Sequence, residues 1–218
     1  MLYDLHTHSF HSDGVLSPVE LINRAVNNGY AAIAITDHVA LGSLERMIKE
    51  VTQDCLMASK YWNITAIPGV ELTHLPPQAI HEVAESAKKF GAKIVVVHGE
   101  TTVEPVPKGT NRAAVDCQFV DILAHPGLIT LEEAMQAAGS GKFLELSARR
   151  GHKNTNKHVA EIAQKTGASL LVDSDAHDED DLLTSQKVKD ILKDAGVSNF
   201  STQILEQNPL SLIKRVTK

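Results

Sequence analysis

At 218 residues, with 43% apolar and 22% charged side chains, the chain has the size and composition of one globular domain, which excludes a disordered or fibrous class. No stretch approaches the roughly 18 uninterrupted apolar residues of a membrane span; a strand pattern starts within two residues of Met1 with no room for a leader, so a cytoplasmic protein is expected. A formal net charge of -6 argues against a nucleic-acid backbone as the main partner, although divalent cations in a carboxylate-lined pocket would turn the local field positive.

In chain order, short β-branched or apolar runs predict seven strands, at Leu2 to Leu5, Ala32 to Thr36, Ile64 to Ile67, Lys93 to Val97, Phe119 to Leu123, Phe143 to Leu146 and Ser169 to Val172. Helical patterns fill the intervals at Pro18 to Asn28, Leu44 to Lys60, Pro77 to Phe90, Leu131 to Ala138 and Lys153 to Thr166. Ser17 before Pro18 reads as an N-cap and first helical residue, and Gly29, Gly91, Gly139 and Gly167 read as helix stops. This alternation predicts an α/β fold of parallel strands with right-handed crossovers, one domain over residues 1 to 218, either closed as a barrel or open as a doubly wound sheet. Thr101 to Arg112, with Pro105, Pro107 and Gly109, reads as a long loop over one rim, and Pro209 to Lys218 as a terminal helix. Cys55 and Cys117 are too few and too isolated for a disulfide framework or a zinc knuckle and are expected as buried small hydrophobes.

The histidines and acids fall at the C-terminal ends of these strands, which gather at one face of a parallel α/β fold. Strand one runs into His6, His8 and Asp13; strand two into Asp37 and His38; strand three into Glu71. Strand four runs into His98 and Glu100, strand five into His125, strand six into Glu145, and strand seven into Asp173, Asp175 and His177. His6 and His8, two apart on a strand, point to one side about 6.6 Å apart along the chain, close enough to share an ion; Asp175 and His177 repeat the spacing. Imidazoles and carboxylates without thiolates suit Zn, Mn or Fe, and so many of them imply more than one ion. A polynuclear site of this kind suits phosphoester hydrolysis. His11, His74, His81 and His158 lie off the strand ends and are expected to be solvated or structural.

Around that cluster, Asp37 is read as a partner that fixes an imidazole tautomer, with an anchor for strand two as the alternative. Glu100 is either a ligand or a loop anchor. Arg149 and Arg150, just after strand six, are the expected phosphate-binding residues, one facing the site and one facing solvent, because a guanidinium fork matches phosphate oxygens. Lys108 and Arg112 are weaker candidates.

Taken together, D-L-H-T-H at Asp4 to His8, S-D-G at Ser12 to Gly14, T-D-H at Thr36 to His38, P-G-V-E at Pro68 to Glu71, H-G-E at His98 to Glu100, A-H-P at Ala124 to Pro126 and S-D-A-H at Ser174 to His177 resemble the motifs of the PHP (polymerase and histidinol phosphatase) domain, in family order over nearly the whole chain. The resemblance implies a distorted (βα)7 TIM-like barrel and a small stand-alone metal-dependent phosphoesterase holding two to three divalent ions. It implies one ion on His6, His8, Glu71 and Asp175, a second on Glu71, His98 and His125, and a third on Asp13, His38 and His177. An aspartate stands at residue 13 where some members carry a histidine. The expected reaction is attack on phosphorus by a metal-activated hydroxide, with His177 or Asp13 orienting or protonating the leaving alkoxide, on a small phosphorylated substrate such as histidinol phosphate or a nucleotide. Two alternatives are a metal-dependent amidohydrolase, disfavoured because Lys93 precedes its strand rather than ending it, and a non-catalytic metal-binding module. The sequence does not set the oligomeric state.

Overall fold

Apolar runs become strands, and the helical patterns between them return the chain across the sheet. The structure, a computed structural model, describes residues 1 to 218. In order it runs β1 (Leu2–Asp4), α1 (Pro18–Asn27), β2 (Tyr30–Ile35), β3 (His38–Val39), α2 (Leu44–Tyr61), β4 (Thr65–Leu72), α3 (Ile80–Phe90) and β5 (Ile94–His98). It continues α4 (Thr110–Asp116), β6 (Ile122–Ala124), α5 (Leu131–Ser140), β7 (Phe143–Ser147), α6 (Asn156–Thr166), β8 (Ser169–Asp173), α7 (Ser185–Asp194) and α8 (Asn208–Val216). All pairings are parallel, in the order β1-β2-β4-β5-β6-β7-β8, with the two-residue β3 beside the end of β4. This is a nearly closed TIM-like barrel in a single domain, and the seven main strands match the sequence expectation. No helix is long and apolar enough to cross a membrane.

Period-two alternation gives each strand an inward row and an outward row. The lower inward positions, among them Ala34, Ile67, Ile94, Val96, Phe143 and Leu171, fill the barrel with a small apolar cluster. The outward positions, such as Ile33, Val70, Val95, Val97, Leu144 and Leu146, join the larger core beneath the helices. Continued upward, the inward rows of β4, β5, β7 and β8 turn polar: Ile67 leads to Glu71, Ile94 to His98, Phe143 to Glu145 and Leu171 to Asp173. One row of each strand therefore serves both the hydrophobic plug and the polar top. Helix α8 closes the bottom with Leu212 and Ile213, each burial contributing roughly 1.5–3 kcal/mol, and Arg215 fastens it to Asp121 at 3.0 Å.

The seam between β1 and β8 closes mainly just above the two strands. Asp173 Oδ1 accepts from Leu5 N at 2.6 Å and Asp4 Oδ1 from Ser174 N at 2.9 Å. Above them Asp175 N donates to His6 O at 3.0 Å and His8 N to Ala176 O at 2.8 Å. Burial pushes the Asp4 carboxyl up to about 7 and Asp173 well above the ordinary range.

Several boundaries differ from expectation for identifiable reasons. The third strand is expected to end at Ile67, yet β4 continues through Pro68 to Leu72, because its pairing passes from β2 to β5 and β3 at that point. Glu71 is thus inside the strand. The fifth strand is shorter and later than expected, Ile122–Ala124. Gly139 does not stop α5; the helix runs through it to Ser140, and Gly141 adopts the left-handed turn, φ 66°. Helices α3 and α6 open with 3-10 turns at Pro77–Ala79 and His152–Thr155. The long loop ends early, at α4, and α7 had no counterpart among the expected helices. Cys55 and Cys117 are free and buried, as expected.

Gly69 lies in the inward row of β4, where a Cβ would meet Thr36 Cγ2 at 2.8 Å and the Ile94 carbonyl oxygen at 2.9 Å. Its absence of a side chain lets β4 pack between β2 and β5. Gly69→Ala is expected to lower stability by about 1–3 kcal/mol through overpacking, read as a lower denaturant midpoint at unchanged slope; an unchanged midpoint would show that the neighbours give way freely.

Candidate metal centre

The polar tops of the strands converge on a cavity of about 380 Å³ at the C-terminal face, lined by no apolar side chain. Two buried carboxylates organise it. Glu71 Oε1 lies 3.4 Å from His6 Nε2 and 3.5 Å from His125 Nε2, while its Oε2 lies 3.6 Å from His8 Nε2 and 2.7 Å from His38 Nδ1. Asp175 Oδ1 lies 3.2 Å from His8 Nε2, and Oδ2 lies 3.7 Å from His125 Nε2 and 3.9 Å from His152 Nε2. The His6 and His8 Nε2 atoms are 3.0 Å apart, so the i, i+2 spacing does bring both imidazoles to one point.

Charge compensation shapes the site. For Glu71, burial opposes ionisation, but His6 and His38 outweigh it and hold the carboxylate well below its usual range. Asp175 and Asp13 are likewise held low against their burial, chiefly by His6 and His8 for the one and by His177 and His38 for the other. Burial lowers His8 and His152 to about 4 and depresses His98, leaving neutral imidazoles with a free lone pair. His6 goes the other way: burial is overridden by Glu145, Glu71 and Asp175, which raise it well above its usual value.

The backbone carries strain at the same place. His125 and Asp175 have φ of 30° and 53°, a region that residues with a Cβ rarely adopt. Both aim their side chains at the centre of the cavity.

The donor set fits divalent cations. His8 Nδ1, Glu71 Oε1, His98 Nδ1 and His125 Nδ1 are buried without a hydrogen-bond partner, a costly state for polar atoms unless something else satisfies the cluster. Donor atoms within 4.8 Å of one another occur in four groups: His6, His8 and Asp175; His6, Glu71 and His125; His8, Asp13, His38 and His177; and His125, His152 and Asp175. Nitrogen and oxygen donors without thiolate suit Zn, Mn or Fe.

Of the expected ligands, His6, His8, Glu71 and Asp175 come together, as do Asp13, His38 and His177, with Asp13 Oδ1 3.0 Å from His177 Nε2 and 3.5 Å from His38 Nε2. His125 joins Glu71. His98 lines the cavity with its ring centroid 4.5 Å from that of His125, but its Nε2 pairs with Glu104 at 3.0 Å and it belongs to none of the four groups. Arg149 turns inward, donating to the Asp175 carbonyl at 3.1 Å and contacting His177 Nδ1, while Arg150 is exposed and outside the cavity. Arg112 pairs with Asp116, and Lys108 is not among the lining residues. His11 lies 3.5 Å from Glu50, His81 packs on Phe119, and His158 bonds the Ile129 carbonyl. His74 reaches the cavity mouth.

Two open readings resolve as loop anchors. Asp37 accepts from the backbone and hydroxyl of both Ser9 and Ser12, at 2.7–3.1 Å, and fixes the loop that presents Asp13 rather than an imidazole tautomer. Glu100 Oε1 accepts from Gly109 N and Asn111 N at 2.9 and 3.0 Å, starting α4. The residue that does fix a tautomer is Glu145, whose Oε2 accepts from His6 Nδ1 at 2.6 Å and turns Nε2 toward the cavity. Its inward parity with Phe143 signalled this; Glu104 and His152, which sit in irregular turns, carried no periodic signal.

Comparison with known proteins identifies the family. A family model described as PHP domain matches residues 4–177. An uncharacterized protein of Methanocaldococcus jannaschii is 44% identical over 218 residues, covering 99% of this chain and 100% of that one. A protein of Thermoanaerobacter sp. named as a probable phosphatase is 26% identical, covering 91% of this chain and 88% of its own length. The 5'-3' exoribonuclease Rnm of Escherichia coli is 29% identical over 156 residues, 70% of this chain and 46% of that protein. Among solved structures, a chain from the crystal structures of YwqE from Bacillus subtilis and CpsB from Streptococcus pneumoniae, described as metal-dependent tyrosine phosphatases, shares the fold at TM-score 0.57 and 15% identity, covering 99% of this chain and 93% of that one.

Glu145→Ala, which frees the His6 ring, is expected to weaken divalent-ion binding about 10–100-fold. Chelator competition on refilled protein measures this, and wild-type affinity in the variant would remove Glu145 from the centre.

Proposed function

The chain belongs to the PHP domain family and is a hydrolase of phosphoester bonds, and from that premise we propose that it cleaves a small phosphorylated substrate at a centre of two to three divalent ions, Zn, Mn or Fe. The single observation that supports this most is the double-sided placement of Glu71 and Asp175, each offering oxygens to opposite walls of histidines in one polar cavity. His6, His8, Glu71 and Asp175 would hold one ion; Glu71 and His125, with His98 nearby, a second; and Asp13, His38 and His177 a third. When bound, such ions supply positive charge for the phosphoryl oxygens and acidify a water.

The chain's own residues do the rest. Arg149 binds the anionic ester, its guanidinium braced by the Asp175 carbonyl and the His177 ring. Asp13, exposed at the rim, and His177, largely buried beside it and joined to it at 3.0 Å, are placed to orient or protonate the leaving oxygen. Asp37 keeps Asp13 in position through Ser9 and Ser12.

Among the alternatives, the amidohydrolase reading lacks its lysine: Lys93 is exposed below β5, and no lysine lines the cavity. A non-catalytic module is disfavoured by the full donor set. The net-charge argument against nucleic acid is not supported, since a relative is named an exoribonuclease; nucleotide esters and diesters therefore belong in any substrate panel beside metabolite monoesters.

The test is phosphate release from that panel by protein stripped of metal and refilled with Mn or Zn. Glu71→Ala is expected to lose ions and activity together. Arg149→Ala is expected to lower kcat/KM about 10–100-fold, the worth of a charged hydrogen bond of roughly 1.5–3 kcal/mol, with ions retained, whereas Arg150→Ala stays near wild type. Inactivity on every ester after refilling would overturn the reading.

A further inference from the structure

His152 stands apart from the ligands that strand-end motifs supply. It opens the 3-10 turn His152–Thr155 after β7, five residues beyond the strand, and is only 3% exposed. Its Nδ1 pairs with the Thr101 hydroxyl at 2.7 Å, leaving Nε2 as the ring nitrogen that faces the cavity. There Nε2 lies 3.9 Å from Asp175 Oδ2 and 3.5 Å from Glu104 Oε1. The ring stacks on His125 at 4.2 Å between centroids and 21° between planes, so the two imidazoles present their edges side by side. Asp175 Oδ2 is 3.7 Å from His125 Nε2.

These separations have a chemical meaning. Ligand atoms about 2.1 Å from an ion stand roughly 3–3.5 Å apart at neighbouring corners of a tetrahedron or octahedron. Gaps of 3.7 and 3.9 Å are therefore the edges of a slightly open coordination shell, and too long for direct hydrogen bonds. A histidine kept for packing alone would have no reason to point a free nitrogen at a carboxylate it does not bond.

The loop over this point is built to hold it. Thr101 fixes the His152 ring. Val103 packs on Gly151, where a Cβ would come within 3.4 Å of both Val103 methyl groups and where φ is 95°. Glu104 then places its carboxylate between His98 Nε2 at 3.0 Å and His152 Nε2 at 3.5 Å. Three positions of one loop engage the turn and its histidine.

We propose that His152 is a metal ligand: with His125 and Asp175 it completes an ion site on the side of Asp175 away from His8, and Glu104, 3.5 Å from its Nε2, borders that site. This rests on the metal-dependent reading above and changes it: His125, whose Nε2 serves one ion, passes from the Glu71 group to this site, Asp175 offers one oxygen to each of two ions, and the long loop becomes a wall of the centre.

The experiment is Co(II) titration of metal-free protein, followed by absorption in the visible, with elemental analysis of the refilled samples. It compares wild type, His152→Ala, His152→Gln, which keeps a polar group beside Thr101, and His158→Ala as a histidine outside the cavity. The expected result is that both His152 variants lose one class of sites or bind it at least about 10-fold more weakly, with the other sites retained and with His158→Ala matching wild type. Glu104→Gln is expected to weaken the same class. Circular dichroism of the metal-free proteins establishes folding, and either folded His152 variant suffices. Wild-type stoichiometry and affinity in the His152 variants, with wild type itself binding ions, would overturn the proposal and leave the phosphoesterase reading intact. A wild type that binds no ion would overturn both.

Discussion

The top of the barrel depends on two ionised carboxylates being buried among imidazoles. Glu71 and Asp175 are almost inaccessible, and an isolated buried carboxylate is prohibitively costly. Each is tolerated because its two oxygens face histidines on opposite sides, His6 with His125 and His8 with His38 for Glu71, and His8 with His125 for Asp175. The arrangement is mutual: those histidines need the carboxylates to balance any positive charge among them, whether it comes from protons or from ions. That mutual requirement explains why so many polar groups can sit over an apolar barrel core without opening it to water.

Backbone strain and loop geometry serve the same end. Asp175 and His125 hold positive φ where the chain leaves β8 and β6, conformations that persist only when surrounding contacts over-determine them. Asp175 is pinned by its own amide on His6 O, which is also part of the seam between the first and last strands. Closing the barrel and placing the central carboxylate are consequently one event. Loops use a second device: a carboxylate that accepts several backbone N–H groups. Asp37 does so for Ser9 and Ser12, and Glu100 for Gly109 and Asn111, so that Asp13 and the long loop reach the cavity from fixed positions.

The formal charge of -6 conceals this local economy. The acids at the centre are already matched by histidines, and Arg149 adds a positive edge where an anionic ester would enter. Local arrangement, and not the sum of charges, decides which partner the site can accept.

The sequence by itself determined the alternation of strands and helices, the seven-strand count and the strand-end position of most of the cavity's histidines and carboxylates, because period-two and period-3.6 patterns are local and ligands at i and i+2 must share a face. It also pointed to Arg149 and Arg150 as candidates, one for the site and one for solvent, without distinguishing them. Only the tertiary structure decided which one turns inward, that Asp37 and Glu100 hold loops, that β4 continues through Pro68, that Glu145 bonds the His6 ring, and that Glu104 and His152 line the cavity. Those outcomes rest on contacts between residues far apart in the chain, His6 with Glu145 and Thr101 with His152, and on irregular turns that have no period to read. A carboxylate at a strand end has the same local signature whether it faces an ion, an imidazole or a row of amides; closure of the barrel, which sets its neighbours, makes the difference.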